Sequence, residues 1–578
     1  LLINTALLTS AQADNPPRKI LSGWIPYYSI KSALPAALAN PDLVSEVTPF
    51  WYTLKDAQTI QDNYTPANPN LPIAGTIAQL QTAGYLVLPT ITDGTATDPK
   101  TGKSIQLSLS NLLDNPITEK SIINTITSLV MTNKYDGIDL DLESFAYVDP
   151  ISTWSTTQIR WVAFIKDLAA TLHSQGKLLS ITTPPLFDPA TGKKGYYLYA
   201  WADVSQVIDR LRIMAYDYST SSPGPIGPLA WTESSVQYAI SVMPSSKVYI
   251  GVPGYGRDWV TKVNGTCPSL PINYFKSVSP TASAGTVVMH DVANLAASYN
   301  ATPSFSDKYG ESTFTYQKAY NGTTADGTLT TCTATRTVWY QDAKSFSLRA
   351  GLVAKYHLGG IAEWTFGMED VTAVAAVRAV ATAIGPDPVV ANLVISSTRS
   401  IVGDLVTVNA LLKRRDTTPF VGVPTQIEMK TASTDWALLF KANSAADGSL
   451  AVPLIIGENT TFRVGSPGSW DRLPGASAEI SVGVARSISW RPPTSMKRGI
   501  FYLISGEIQP KVAGIVVQLD DGVNTRSDLR TTAVTDADGN FNLRVAASRT
   551  GLYSYRVLVP ADTYFVESQS DLVTVVVR

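Results

Sequence analysis

Along the first two thirds of the chain, apolar and polar positions alternate between two textures. Short runs rich in β-branched and aromatic residues end in Gly, Pro, Asp, Ser or Thr, and read as strands. They are "ILSGWIPYY", "VTPFWYTL", "YLVLPTIT", "YDGIDLDLE", "LLSITTPP", "LRIMAYDY", "KVYIGVPGYG" and "LGGIAEWTFG". Between several of them the apolar spacing turns helical, as in "KSIINTITSLVMTNK" and "QIRWVAFIKDLAATLHSQG". Eight strands alternating with helices predict an α/β fold, a (β/α)8 TIM barrel over residues 15–385. The interval between strands 7 and 8, about residues 260–337, is rich in Thr, Ser, Asn and Gly. It predicts an inserted subdomain beside the active-site face.

After "AIGPDPVV" the helical spacing stops and short alternating strands with turn signals take over. A weak repeat runs through this part. "ADGSL" at Ala446–Leu450 returns as "ADGNF" at Ala537–Phe541, and "FRV" at Phe462–Val464 as "YRV" at Tyr555–Val557, offsets of 91 and 93 residues. That is the length of a β-sandwich, so the pattern predicts two all-β sandwich domains of Ig-like type, 386–485 and 486–578. They read as spacers, because no linear row of exposed aromatics is visible.

Composition narrows the function classes. Of 578 residues 16% are charged, and the formal net charge is −2. Neither nucleic acid nor an anionic membrane surface is an expected partner. No run of about 18 apolar residues predicts a membrane span, and a monomer is expected. Residues 1–14 are apolar up to Ala11-Gln12-Ala13, like the remnant of a secretory signal peptide, which predicts a secreted protein. The two cysteines, Cys267 and Cys332, are a candidate disulfide in that setting, with two free thiols as the alternative. Three histidines and two cysteines without ligand spacing predict no metal and no cofactor. "DADGN" at Asp536–Asn540 reads as a hairpin turn, not a calcium loop.

One stretch breaks the apolar pattern. "YDGIDLDLESF", from Tyr135 to Phe145, carries Asp136, Asp139, Asp141 and Glu143. Side chains alternate faces along a strand, so Asp139, Asp141 and Glu143 share one face and Ile138, Leu140 and Leu142 the other. In a barrel the apolar face meets the helices. The acids then line the interior near the C-terminal end of the strand, where such barrels hold their active sites. Crowded, buried carboxyls push at least one pKa upward, and a carboxylic acid kept protonated near neutral pH is what a glycosidic oxygen needs to leave. A solvated acidic loop and an acid cluster for a metal are the bland alternatives. The alternating Leu and Ile oppose the first, and the origin of the acids in one strand opposes the second.

The spacing Asp136-x-x-Asp139-x-Asp141-x-Glu143 resembles the DxxDxDxE signature of glycoside hydrolase family 18, the chitinase family. "MAYD" (Met214–Asp217) resembles its strand-six motif, and Trp364 in "EWTFG" stands where the family floors the sugar site with tryptophan. The resemblance covers about residues 18–383. It implies substrate-assisted catalysis, in which the 2-acetamido oxygen of the substrate attacks the anomeric carbon. Glu143 would protonate the leaving oxygen and then activate water. Asp141 would orient the acetamido N–H, and Asp139 would share a proton with Asp141. Tyr216 would bond the acetamido oxygen, Asp217 and Met214 would line the sugar site, and Trp364 would stack beneath. Asp136 is expected to hold the fold. Tyr27, Trp51 and Tyr255, with Trp24, Tyr52 and Trp259, are candidates for sugar stacking or for the core. The glycine-paired motif on strand three is replaced by "PTITDG" (Pro89–Gly94), which resembles the branch with bacterial spore and cell-wall enzymes. The expected substrate is an N-acetylglucosamine polymer. Chitin is the first expectation, peptidoglycan or N-glycans are alternatives, and a non-catalytic glycan-binding protein is the alternative from another class.

Overall fold

A computed structural model describes residues 15–97, 101, 104–107, 109–269, 284–520 and 531–578. The leader-like segment 1–14 lies outside the described residues. The chain divides into two units, one of residues 16–385 and one of residues 386–578 with Asn15.

In the first unit, eight parallel strands close into a barrel. They are β1 (Leu21–Pro26), β2 (Val44–Leu54), β3 (Thr90–Asp93), β4 (Gly137–Asp141), β5 (Leu178–Thr183), β6 (Arg210–Ile213), β7 (Val248–Pro253) and β8 (Gly360–Trp364). Each pairs with the next, and β8 returns to β1 through Leu21↔Ile361. All eight overlap the strand runs of the sequence. β4 is buried on both faces, as a parallel strand between barrel interior and helices must be. Helix Trp154–His173, which follows β4, buries Trp161, Phe164, Ile165, Leu168 and Leu172, one stripe at helical spacing. Helix Pro116–Thr132 starts where the Asn115 side chain accepts the Ile117 N–H at 2.9 Å, with Pro116 at the first helical position.

Between β7 and β8 lies an antiparallel five-stranded sheet. Its strand order is Gly285–Val288, Tyr255–Gly265, Leu329–Tyr340, Glu311–Thr323 and Ser304–Ser306. Its strands run from Tyr255 to Tyr340 and begin directly after β7. Cys267 and Cys332 are joined as a disulfide within it. A buried carboxylate ties the sheet to the barrel: Glu311 accepts the Ile226 and Gly227 N–H groups, each at 2.7 Å, and pairs with Arg349 at 3.3 Å.

The second unit holds two β-sandwiches. The first packs Val390–Ile395, Leu405–Lys413 and Ser449–Ile455 against a larger sheet, around a core that includes Val408, Leu412, Ile427, Phe462 and Val484. The second buries Ile504, Val517, Phe541, Leu543, Tyr555 and Val575. The sequence repeat is a structural repeat. Both Asp-Gly turns place glycine at positive φ, 79° at Gly448 and 76° at Gly539, and each opens a strand. Arg463 and Arg556 occupy matching positions and pair with Glu428 at 2.6 Å and Asp520 at 3.2 Å. Asp536 accepts the N–H groups of Asp538 and Asn540 at 3.0 and 2.9 Å, so its carboxylate serves the turn.

Candidate active site

The acids of β4 divide their work along the strand. Asp136, just before it, accepts the Val87 N–H at 2.9 Å and joins the start of β4 to the neighbouring strand. Asp139 is fully buried. Its oxygens accept from Ser180 at 2.6 Å, Thr90 at 2.9 Å and Thr182 at 3.0 Å. Arg212 lies 3.8 Å away and itself pairs with buried Glu46 at 2.6 Å. These hydroxyls come from β3 and β5, and the two charged partners from β2 and β6. Asp139 is thus held from two neighbouring strands by three hydroxyl donors, beside a guanidinium.

Asp141 ends β4. Its Oδ1 is buried and without a hydrogen-bond partner, yet the residue lines the cavity. Burial, then the nearby charges of Glu143, Asp139 and Asp93, push its pKa well above the ordinary carboxylate range. Glu143 is not on the strand. The strand stops at Asp141, and Glu143 has helical backbone angles (φ −113°, ψ −24°) at the start of the short helix Ser144–Tyr147. The turn carries its carboxyl into the cavity, where the Tyr147 hydroxyl hydrogen-bonds it. Burial, helped by the charges of Asp93 and Asp217 and opposed by the Tyr147 bond, pushes its pKa up to about 7.

The cavity has a volume of about 930 Å³ and sits over the C-terminal ends of the strands. Asp141, Glu143, Met214, Tyr216, Asp217, Tyr255 and Trp364 all line it. Gly251 on β7 makes room for Tyr216: a Cβ there would lie 2.9 Å from the Tyr216 ring. Asp217 sits in the left-handed region at φ 54°, seldom adopted by a residue with a side chain, and its carboxylate faces Arg257. Arg257 Nη2 and Nε donate to one Asp217 oxygen at 2.7 and 3.1 Å. The same guanidinium lies over the Tyr255 ring, 4.7 Å from its centroid, and Tyr255 is edge-on to Tyr216.

Two expected sugar contacts lie elsewhere. Trp51 is buried against Tyr64, with centroids 4.2 Å apart. Its neighbour Tyr52 bonds the Tyr135 hydroxyl at 2.6 Å. Phe50 lines the cavity instead, edge-on to Trp364 at 4.9 Å. The cause is a register shift in β2 between Phe50 and Tyr52, which breaks the alternation that strand reasoning assumes. Tyr27 faces a separate recess with Tyr28 and Asn68. Trp24 is buried behind Trp364, and Trp259 is buried in the inserted sheet.

Sequence reasoning missed four residues: Phe50, Asp93, Tyr147 and Arg257. Arg257 had a visible signal, a lone cation two residues past Tyr255 in "GYGRDW". Asp93 had one too, standing where a glycine was expected. Tyr147 had none, since its role depends on the helical turn after Glu143. Glu363 and Glu369, a further buried carboxyl pair, are hydrogen-bonded to each other. Burial first, then mutual repulsion, pushes the Glu363 pKa well above the usual range. Among the described residues no group of His, Cys, Asp and Glu is arranged to hold a metal ion.

Comparison with known proteins agrees with this geometry. Residues 100–369 match the family model described as Glycosyl hydrolases family 18. YdhD of Bacillus subtilis (strain 168), by name a sporulation-specific glycosylase, is 27% identical over 256 residues, 44% of this chain and 52% of that protein. The cortical fragment-lytic enzyme of Bacillus anthracis is 26% identical over 298 residues, 51% of this chain and 59% of the other. The chain thus spans about half the length of these curated relatives. Among solved structures, the C-terminal domain of a chitinase-named protein from Desulfitobacterium hafniense DCB-2 shares the fold. It aligns with a TM-score of 0.50 at 23% identity, over 63% of this chain and 99% of that one. With its motif acids at the strand ends of a closed barrel, the chain resembles glycosyl hydrolases family 18 over residues 100–369.

Proposed function

We propose that the barrel hydrolyses β-linked N-acetylglucosamine glycans with retention, using the substrate's own acetamido group as nucleophile. The observation that carries this reading is Asp141: a buried carboxyl facing the cavity with an unpartnered oxygen, next to an acid whose pKa is about 7. Glu143 gives its proton to the glycosidic oxygen as the acetamido carbonyl oxygen attacks the anomeric carbon. The glycosidic C–O bond breaks and a cyclic oxazolinium forms. Asp141 accepts the acetamido N–H and offsets the positive charge. Glu143, now a carboxylate, takes a proton from water as it opens the ring and restores the β-anomer. Tyr216 donates to the acetamido oxygen, and Trp364 with Phe50 supplies apolar surface beneath the sugar.

Peptidoglycan is the favoured polymer. The strand-three sequence departs from the chitinase pattern, and relatives named cortical fragment-lytic enzyme recur among the matches. Chitin is the second reading, favoured by a 25% identical match to a class V chitinase of Arabidopsis thaliana. The Cys267–Cys332 disulfide supports action in an oxidising, extracytoplasmic compartment. Digestion of purified peptidoglycan and chitin side by side, wild type against Glu143→Gln, tests the reading. Release of reducing ends by the wild type alone is expected, with wall material cut faster. No release from either polymer, with glycan still bound, would leave a glycan-binding protein.

A further inference from the structure

We propose that Asp93, at the end of β3, is a positioning residue for the catalytic acid: its carboxylate clamps the backbone turn that carries Glu143 and Tyr147 into the cavity. The proposal rests on the assignment of Glu143 as the acid, and its geometry stands apart from the identity of the glycan.

Both Asp93 oxygens are engaged on that turn. Oδ1 accepts the Glu143 N–H at 3.0 Å. Oδ2 accepts the Ser144 N–H at 2.6 Å, and the Ser144 hydroxyl lies 2.5 Å from the same oxygen. Backbone N–H groups at the start of a helical turn have no partner within it. A carboxylate accepting two of them is the strong form of that contact. The clamp fixes where the chain leaves β4, and so where Glu143 projects. It also fixes the first turn of Ser144–Tyr147, whose last residue returns its hydroxyl to the Glu143 carboxyl.

Asp93 is itself held. It pairs with Leu54 in the β2–β3 ladder, and the Gly94 N–H donates to the Leu54 carbonyl at 3.0 Å. A Cβ at Gly94 would lie 2.8 Å from Thr53 and 2.9 Å from the Leu54 carbonyl oxygen, so glycine is required for this approach. Thr-Asp-Gly at the end of β3 is therefore one unit, with Asp93 as its working end.

The charge has a second effect. Glu143 is faced by Asp141 from β4, Tyr147 from its own turn, Tyr199 from the chain after β5, Tyr216 and Asp217 from the chain after β6, and Asp93 from β3. A fixed negative neighbour favours the neutral carboxylic acid. Asp93 thus holds Glu143 in place and helps to keep it protonated.

The test is a carbon-13 NMR titration of glutamate carboxyls in the full chain, with Glu143 assigned through E143Q, alongside pH–rate profiles. In Asp93→Asn the Glu143 midpoint is expected to fall. The alkaline limb of kcat/KM should move to lower pH with it, and kcat should drop by about 10-fold with KM nearly unchanged. Asp93→Ser, which keeps an oxygen acceptor but no charge, is the second variant should the first fail to fold, and is expected to shift Glu143 the same way. Asp342→Asn removes a capping carboxylate from a helix that does not line the cavity. It should lower thermal stability and leave the Glu143 titration unmoved. A Glu143 midpoint and pH profile identical to wild type in the Asp93 variants would overturn the proposal. A shifted titration in a protein that cleaves no glycan would keep the clamp and defeat the catalytic reading instead.

Discussion

Asp139, Asp141 and Glu143 are separated by one residue each, yet they meet three different environments. Asp139 is saturated by hydroxyls beside Arg212, Asp141 is buried with one oxygen free, and Glu143 stands on a turn beyond the strand. That division makes a pH prediction. On the proposed mechanism Glu143 carries its proton to start the reaction, and its pKa is raised to about 7. The rate on a soluble chitobioside is therefore expected to hold at mildly acidic pH and to fall as pH rises through neutrality; a profile flat to pH 9 would contradict the assignment. Glu143→Gln should lower kcat by about 10²–10⁴-fold, the range for losing general acid–base catalysis. The acids, Tyr216 and Trp364 were legible because a fixed spacing carries them. The separate roles of the acids were not, because they depend on Thr90, Ser180 and Thr182 reaching across from neighbouring strands.

At the scale of elements, the barrel was legible from alternation and strand count, since β-branched runs between helical stripes leave little else to build. Its irregularities were not. The register shift in β2 exchanges Trp51 for Phe50 at the cavity, and no local pattern announces a bulge. Phe50→Ala should raise KM on short oligosaccharides while Trp51→Ala should mainly lower the melting temperature; the reverse outcome would restore Trp51 to the cavity. The ion cluster of Glu46, Arg210 and Arg212 joins β2 to β6 inside the barrel. Removing Glu46 takes the 2.6 Å partner from fully buried Arg212 and the carboxylate from Arg210, so Glu46→Leu should cost about 3–5 kcal/mol in denaturant unfolding. The Glu363–Glu369 pair works in the opposite sense. The folded-state pKa of Glu363 lies above its unfolded value, so its contribution to stability is present in acid and is lost as pH rises through the folded pKa. Glu363→Gln is expected to raise the melting temperature at pH 8 more than at pH 4, and equal shifts at both would show that the pair does not titrate on unfolding.

At the scale of the whole molecule, the chain separates its tasks. Among the described residues, those lining the cavity belong to the unit of residues 16–385, and the sandwiches keep cores of their own. Residues 16–385 expressed alone should therefore fold and cleave soluble oligosaccharides as the full chain does. The change of texture after residue 385 and the repeat of Asp-Gly turns made this division readable, because turns and ladders recur where a fold recurs. What sequence could not supply was the route by which a β3 carboxylate sets the acid after β4, a contact across 50 positions. The central claim is that Asp141 and Glu143 direct the substrate's acetamido group to its own anomeric carbon. The most direct measurement is the proton NMR spectrum of a chito-oligosaccharide during the first minutes of hydrolysis, read at the anomeric signals. The β-anomer should appear first and relax to the α/β mixture, with no product from Glu143→Gln. First appearance of the α-anomer, or product from the Glu143→Gln enzyme at the wild-type rate, would contradict the mechanism.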